Sequence, residues 1–345
     1  MGLVTRKQVR SCRAPHAPRI EQSTTAVCWV LAALMAVVAV IRASSAELHR
    51  WLIGAQGIAG WLLLPAHPIA AWAVRRRYRG LAVFTAVLGV GDLWLAMRAR
   101  GQDHPDQMPP GSTQLRVLTA NLLRDNPDIE NLGRDLLRSD ADVIALQELT
   151  PDHVVELNRC GLIGAYPHHV IDPSVSFHGS ALLSRLPIAG GTVIDVDGYP
   201  MTEADIITGG GPIRVVSVHV VNPAATGQLR TWSRQLASLA RYAERCPVPL
   251  ILAGDFNATL DHRSLRDLLE TGLRDAFQVA GQGFGLTWPR WRRPMVALMR
   301  LDHVLVSRRV AVGHTRTEIS RGSDHKRLTV DLAVVTSAAV TSVGR

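Results

Sequence analysis

Asp255 and Asn257 close the stretch VPLILAGDFNA, Val248 to Ala258, a run of apolar and β-favouring residues that breaks at Gly254. Such a run reads as a buried strand ending in a turn. Two residues apart, Asp255 and Asn257 share a face if the strand geometry continues through them. A carboxylate and an amide so placed hold a water and a phosphoryl oxygen. Taken alone, Gly-Asp-Phe-Asn reads equally well as a turn, because Gly, Asp and Asn are the usual turn residues. The balance shifts because Asn121, Glu148, His219, Asp302, Asp324 and His325 also lie at ends or edges of expected strands.

Hydrolysis of a phosphate ester requires charge neutralisation on the phosphoryl oxygens, a positioned water and a proton for the leaving oxygen. Glu148, with Asn121 beside it, offers hard oxygen ligands suited to Mg²⁺, which keeps several waters and takes only one or two carboxylates. His325 with Asp302 has the form of a histidine oriented by a carboxylate, as general base or as phosphate-contacting cation. Asp255 is the competing base, and spacing does not choose between it and His325. The three together form a water-activating group. His303 is expected on the opposite face of its strand from Asp302 and stands outside the set. Spacing assigns no acidic residue to orient His219.

Alternating β and α patterns place these residues on one sheet system, an α/β arrangement. The expected strands are Leu115–Leu123, Asp142–Leu149, Gly179–Ile188, Ala204–Thr208, Ile213–Val221, Val248–Ala253, Leu301–Ser307 and Leu328–Val335. Gly209-Gly210-Gly211-Pro212 supplies the backbone freedom of a tight hairpin. Apolar residues at helical spacing predict helices from Ile129 to Leu137 and from Gly227 to Arg245, with a short one over Ser264–Glu270. Tyr166–Phe177, with His168, His169 and His178 nearby, reads as a loop.

The first hundred residues have a different character. Of the 345 residues 47% are hydrophobic, and three long apolar runs, Ala26–Ile41, Trp51–Val74 and Leu81–Met97, crowd the N-terminal part. A membrane-spanning helix needs about 20 apolar residues, and three transmembrane helices over residues 26–98 are expected. The third contains Asp92, which is expected near the outer interface. The net charge of +9 suggests nucleic acid until its distribution is considered. Arg6, Lys7, Arg10, Arg13 and Arg19 precede the first run, and Arg75, Arg76, Arg77 and Arg79 join the second to the third. By the positive-inside rule residues 1–25 are cytoplasmic, and three crossings deliver the rest outside. The expectation is a multi-pass cell-membrane protein with an extracellular catalytic domain over residues 114–336. Residues 99–113, rich in Pro, Gly and polar residues, read as a linker, and residues 337–345 as a tail. Four cysteines show no metal-ligand spacing; Cys160 and Cys246 are either a bridge or two isolated thiols.

The motifs NLL at Asn121, QE at Gln147-Glu148, HVVN at His219–Asn222, GDFN at Gly254–Asn257, LDH at Leu301–His303 and SDH at Ser323–His325 occur in one order. This series resembles the endonuclease/exonuclease/phosphatase family, which includes DNase I-like nucleases, abasic-site endonucleases, inositol polyphosphate phosphatases and sphingomyelinases. The resemblance implies a DNase I-like α/β sandwich, two packed β-sheets flanked by helices. It implies Mg²⁺, with Mn²⁺ as a substitute, on Glu148 and Asn121 with Asp324 at the metal edge, and His219 and Asn257 on the phosphate oxygens. The catalytic set is then Asp255, Asn257, His219, Asp302 and His325. Three spans followed by an outward phosphoesterase resemble the VanJ-type membrane proteins linked to teicoplanin resistance, which implies a lipid-linked phosphate or pyrophosphate of cell-wall metabolism as substrate. The segment TWPRWRRPMVALMR, Thr287–Arg300, mixes Trp and Met with Arg in a manner suited to a lipid interface. It would equally suit an ordinary solvated loop, or stacking on single-stranded bases as in an anchored nuclease. A non-catalytic membrane binding module is the remaining alternative, and it has no use for a joint metal and water-activating set. No protein partner is inferred.

Overall fold

Period-two alternation sorts the side chains of each strand to opposite faces, and here both faces are buried. The computed structural model describes residues 19–44, 46–290 and 296–334. The basic residues before Arg19, Cys12 and the expected tail lie outside the described residues. One sheet is built from β1 (Thr113–Asn121), β2 (Val143–Gln147), β3 (His168–Asp172), β4 (Ser180–Ser184), β11 (Val310–Ile319) and β12 (Lys326–Val334), in the order β11-β12-β1-β2-β4-β3. The other contains β5 (Ile188–Asp195), β6 (Pro200–Thr208), β7 (Gly211–His219), β8 (Leu250–Asp255), β9 (Arg274–Asp275) and β10 (Asp302–Val306), in the order β5-β6-β7-β8-β10-β9.

Leu115 and Val117 of β1, Val215 of β7, Ala253 of β8 and Val304 of β10 point between the sheets into one core. The alternate residues face outward. Leu118 and Ala120 meet α6 (Ile129–Arg138) and α7 (Pro151–Arg159). Val216, Leu252 and Leu305 meet α8 (Leu229–Arg245) and α9 (Arg263–Glu270). The short α10 (Ala276–Ala280) adds Phe277 to the central core. Each large apolar side chain so buried contributes about 1.5–3 kcal/mol. A one-residue slip of any central strand would reverse its faces, so burial on both sides sets the register. The fold is the expected α/β sandwich. It adds α7, whose start is capped by reciprocal bonds between Thr150 and His153, and it converts part of the expected Tyr166–Phe177 loop into β3.

At the N-terminus, α1 (Arg19–Ser44) and α5 (Arg79–Ala99) are long and apolar enough to cross a membrane. Each leaves a broad apolar face exposed, as at Val27, Val30 and Val40 of α1 and Val83, Val87 and Val90 of α5, while another face packs in the helix bundle through Ala32, Met35, Leu81 and Ala82. The second apolar run differs from expectation. It is not one straight span but α2 (Arg50–Gly57), α3 (Ala59–Leu63) and α4 (Ala66–Arg75), bent by 70° between Gly57 and Ala59. The sandwich accounts for the bend: Ile53 of α2 is buried in the core beneath α8 and α9. A Cβ on Gly57 would lie 2.6 Å from the Met299 sulfur, so a larger residue there would push the Met299 side chain aside.

Glu21 of α1 meets Arg76 and Tyr78, whereas Arg42, near the other end of α1, pairs with Asp92 of α5 at 2.8 Å. Helices α1 and α5 therefore run parallel, and the chain between them returns from the domain end to the far end through α3 and α4. Asp92 is not simply near an interface. It is buried against Arg42, whose Nε also donates to Asp261 of the catalytic domain at 2.8 Å. Glu47 receives the Ser264 N–H at 2.9 Å, and His262 Nε2 meets the Ile53 carbonyl at 3.1 Å. The expected linker is likewise docked: Gly101, Gln102, Asp103 and His104 donate to carbonyls between Val279 and Gly283 or at Gln278, and Asp106 takes two bonds from Arg274. Cys160 and Cys246 are free thiols, packed in the helical layers on opposite sides of the sandwich.

Removing one member of a buried ion pair strands its partners and costs about 3–5 kcal/mol. Arg42→Met, which leaves Asp92 and Asp261 uncompensated, should lower the thermal unfolding temperature of the detergent-solubilised protein, and Asp92→Asn should lower it less. An unshifted Arg42→Met melting curve would remove this clamp from the stability of the fold.

Candidate active site

The apolar faces between the sheets become polar toward one end of the sandwich. Thr119 donates to Gln147 Oε1 at 3.2 Å, Gln147 Nε2 to Ser217 Oγ at 2.9 Å, and Ser217 Oγ to the Leu146 carbonyl at 2.9 Å. These bonds satisfy the last buried polar groups beneath the mouth. Two residues further along β1 and β7, on the same faces, stand Asn121 and His219. Register completes the set: His219 lies opposite Asp255 in the parallel β7–β8 pair, and Asp302 opposite Asp255 in the antiparallel β8–β10 pair.

Glu148 follows β2 and would face away from this group if the strand continued. Its φ of 57° turns the side chain inward, a left-handed conformation that costs about 1–3 kcal/mol and occurs where function holds it. Its Oε1 accepts from Asn121 Nδ2 at 3.0 Å and its Oε2 from the Arg124 N–H at 2.9 Å. The same Asn121 amide donates to Asp255 Oδ2 at 3.1 Å, and Leu123 N–H occupies Asn121 Oδ1 at 3.0 Å. One electropositive group thus bridges oxygens of two carboxylates.

His325 Nδ1 meets Asp302 Oδ2 at 2.8 Å, and its Nε2 lies 3.6 Å from Asp255 Oδ2. Burial disfavours the imidazolium, but the Asp302 and Asp255 carboxylates outweigh it and push the His325 pKa up to about 10. Burial pushes the Asp255 carboxyl above the usual range, opposed by His325 and reinforced by Asp302. His219 is oriented by a backbone group: Nδ1 donates to the Phe177 carbonyl at 2.8 Å. Its Nε2 is left 3.8 Å from Asp255 and 4.0 Å from Glu148.

Asp255 and Asn257 do not continue one strand face. The strand ends at Asp255, whose Oδ1 accepts the Asn257 N–H at 2.8 Å, and Asn257 has a φ of 46°. The side chain of Asp255 captures the next turn, and Asn257 Nδ2 donates to the Val220 carbonyl at 2.9 Å. Asp324 sits beside His325 and accepts the Trp288 indole N–H at 2.9 Å. His303 faces away from the site, buried between Asp275 and the Ala258 carbonyl.

Two participants were not legible in the sequence. His178 packs edge-on to Tyr199, with ring centres 4.6 Å apart. Burial lowers its pKa, with the His219 charge adding and Glu148 opposing. Arg124 supplies a backbone donor to Glu148 while its guanidinium covers Phe177 at 4.4 Å. Both lie in loops without a spacing signal. In the Thr287–Arg300 segment, Trp288 pairs with Met299 as a hairpin stem. Arg300 is buried on Asp275 and so is not an interfacial cation; Trp291, Arg292, Arg293 and Met295 lie outside the described residues.

The donor set suits a hard divalent cation. Glu148 and Asp255 present oxygens around one point, now spanned by a single amide nitrogen, and Asp302 Oδ1 is buried without a hydrogen-bond partner among the described residues. Asp255, Asp302 and His325 also lie close enough together to hold an ion. Their mutual bonds favour proton handling instead, because Asp302 Oδ2 is already engaged by His325.

The sequence profile described as the Endonuclease/Exonuclease/phosphatase family matches residues 117–325. The chain belongs to this family. Its members are phosphoester hydrolases that typically depend on a divalent metal. None of the curated proteins matches the sequence. Among solved structures, humanized D. rerio TDP2 aligns with a TM-score of 0.54 at 17% identity, over 64% of this chain and 98% of that one. An endonuclease/exonuclease/phosphatase family protein from Bacteroides thetaiotaomicron aligns with a TM-score of 0.53 at 16% identity, over 65% and 99%. One from Leptotrichia buccalis aligns with a TM-score of 0.51 at 18% identity, over 63% and 99%. These likenesses show the fold alone, over about two thirds of the chain.

A raised histidine pKa stabilises the fold below the unfolded value and loses that contribution as pH rises through the folded value. For His325 the ordinary value is 6.5 and the folded value about 10. In metal-free protein the stability advantage of wild type over His325→Gln should be greatest below about pH 6.5 and shrink steadily toward pH 10. A constant difference in melting temperature across that window would count against an imidazolium at this site.

Proposed function

We propose that this protein is a membrane-anchored, divalent-metal-dependent phosphatase that hydrolyses a lipid-linked phosphate or pyrophosphate on the outer side of the membrane. The observation that carries the reading is the position of the mouth. The segments leaving the site-bearing ends of β8 and β10 pack on the domain-side ends of the apolar helices, through Asp261–Arg42 and through Trp61 Nε1, which donates to the Leu298 carbonyl at 2.9 Å. A soluble polymer has no need of an active site held against membrane helices, whereas a phosphate at the end of a hydrocarbon chain does. The parallel run of α1 and α5 supports three crossings. Arg75, Arg76, Arg77 and Arg79 gather at the end remote from the domain, which by the positive-inside rule supports a cytoplasmic far end and an external domain.

The chain's own groups divide the chemistry. Glu148, held by Asn121 and the Arg124 N–H, is the principal metal carboxylate, with Asp324 at the edge; the bound cation supplies charge neutralisation to the phosphoryl oxygens. Asp255, whose raised pKa brings it toward the working range of a base, takes the proton from the attacking water. His325, charged and fixed by Asp302, contacts the phosphate as a cation rather than acting as the base. His219 offers Nε2 to the phosphate because the Phe177 carbonyl holds its other nitrogen, and Asn257 contributes its remaining amide hydrogen. Dephosphorylation of a cell-wall carrier lipid would connect this activity to teicoplanin resistance, as the likeness to VanJ-type proteins implies.

A nuclease reading draws on the neighbour D. rerio TDP2, whose structure is of a complex with a single-strand DNA product. The two are separated by incubating purified full-length protein and Mg²⁺ with a polyprenyl pyrophosphate in detergent and, in parallel, with plasmid DNA. Phosphate release from the lipid with intact plasmid is expected, abolished by EDTA and lowered about 10²–10⁴-fold in kcat by Asp255→Asn. Nicked plasmid with untouched lipid would put the nuclease first.

A further inference from the structure

A cavity of about 230 Å³ lies where the membrane helices meet the catalytic domain. Its helix-side wall includes Gly60, Trp61 and Leu64 beyond the bend and Ala96 in the last turn of α5. Its domain-side wall includes Thr259, Leu260, Leu298 and Met299. The lining is apolar in the main, and its rim is continuous with the lipid-facing surface: Trp61, Leu64 and Phe284 are 42%, 49% and 45% exposed.

The position of the domain-side wall points to an occupant. Arg300 lines the cavity, is 5% exposed, and bonds Asp275 through Nη2, while its Nη1 has no hydrogen-bond partner among the described residues. Nη1 is closed to solvent, so Arg300 supports the wall through its bond to Asp275 and presents no donor to the cavity. The wall also leads directly to the site. Thr259 follows Asn257 by two residues and Arg300 precedes Asp302 by two, so the backbone of each wall segment lies within about 7 Å of a site residue. Gly60 is not demanded by packing, since a Cβ there would meet only Asp92 and Arg42 at 3.7 and 3.9 Å.

We infer that this cavity binds the hydrocarbon chain of the lipid-phosphate substrate, the chain running along Trp61, Leu64, Leu298 and Met299. The inference rests on the phosphatase reading above and adds the element that selects for a lipid. Entry past the exposed Trp61 and Leu64 lets the chain leave the membrane sideways while its phosphate passes to the mouth. Selection then depends on chain burial, in which each methylene removed from water strengthens binding several-fold.

The test compares the full-length protein with Ala96→Phe, which fills the cavity from α5, in hydrolysis of isopentenyl pyrophosphate and of a long-chain polyprenyl pyrophosphate. Wild type should favour the long substrate in kcat/KM. Ala96→Phe should lower that value about tenfold while leaving the short one nearly unchanged. An equal loss on both substrates overturns the proposal. A readout free of turnover accompanies it: a long-chain alkyl phosphate carrying a diazirine, photolysed on the Glu148→Ala protein, should label peptides spanning residues 57–64 and 96–99. Labelling should be lost when Ala96→Phe is added. Labels spread evenly over the outer faces of α1 and α5 overturn it. Intact lipid with cleaved DNA would sink the phosphatase reading by itself, and the position of the label would still decide whether the cavity holds a chain.

Discussion

Three carboxylates, Glu148, Asp255 and Asp302, are forced together in a nearly dry space at one end of the sandwich, and their mutual repulsion sets what else must be there. Each is met by a donor. Asn121 spans Glu148 and Asp255, the Arg124 N–H caps Glu148, the Asn257 N–H caps Asp255, and His325 stands between Asp302 and Asp255. Remove the donors and the carboxylates protonate or separate; remove the carboxylates and His325 has no reason to hold its charge. The polar layer of Thr119, Gln147 and Ser217, bonded to one another and to the Leu146 carbonyl, separates this charged group from the apolar core. The preorganised charge is what phosphoryl hydrolysis uses.

The same end of the domain carries the contact with the helices. The loop after β8 holds Asn257 and, within a few residues, Asp261, His262 and Ser264, which are gripped by Arg42, Ile53 and Glu47 respectively. The site and the apolar helices therefore share one segment of backbone. A displacement of α1 or α2 is felt at the turn that Asp255 captures, and a domain cut free of its helices loses the partners of that loop. The bend in the second apolar run belongs to this arrangement, because its first part serves the domain and its second part serves the helix bundle.

Much of this was legible from residue types. Apolar alternation marked the central strands, and polar residues at their ends marked the mouth, because a side chain that breaks an otherwise buried strand needs a reason to be there. Asn121, His219, Asp255, Asp302 and His325 emerged in this way and do converge. The reading failed where local pattern and tertiary contact disagree. The run from Trp51 to Val74 is uniformly apolar, so nothing local distinguishes a residue that faces lipid from one that enters a protein core as Ile53 does. The stretch from Gly101 to Thr113 has the composition of a linker, but backbone hydrogen bonds, invisible to composition, stitch its start to residues 278–283.

By itself the sequence determined the alternation of faces, the apolar helices, the clustering of cations at their loops and which polar residues stand at the strand ends. These follow from side-chain polarity and period, which are properties of short stretches. Only the tertiary structure decided that Glu148 turns inward through a left-handed residue, that a carbonyl rather than a carboxylate orients His219, that His325 is charged, and that Asp92 is paired. Each depends on a partner brought from a distant part of the chain: Asp302 for His325, Phe177 for His219, Arg42 for Asp92. The field at a buried group is the sum of what folding places around it, and local spacing carries no record of that sum.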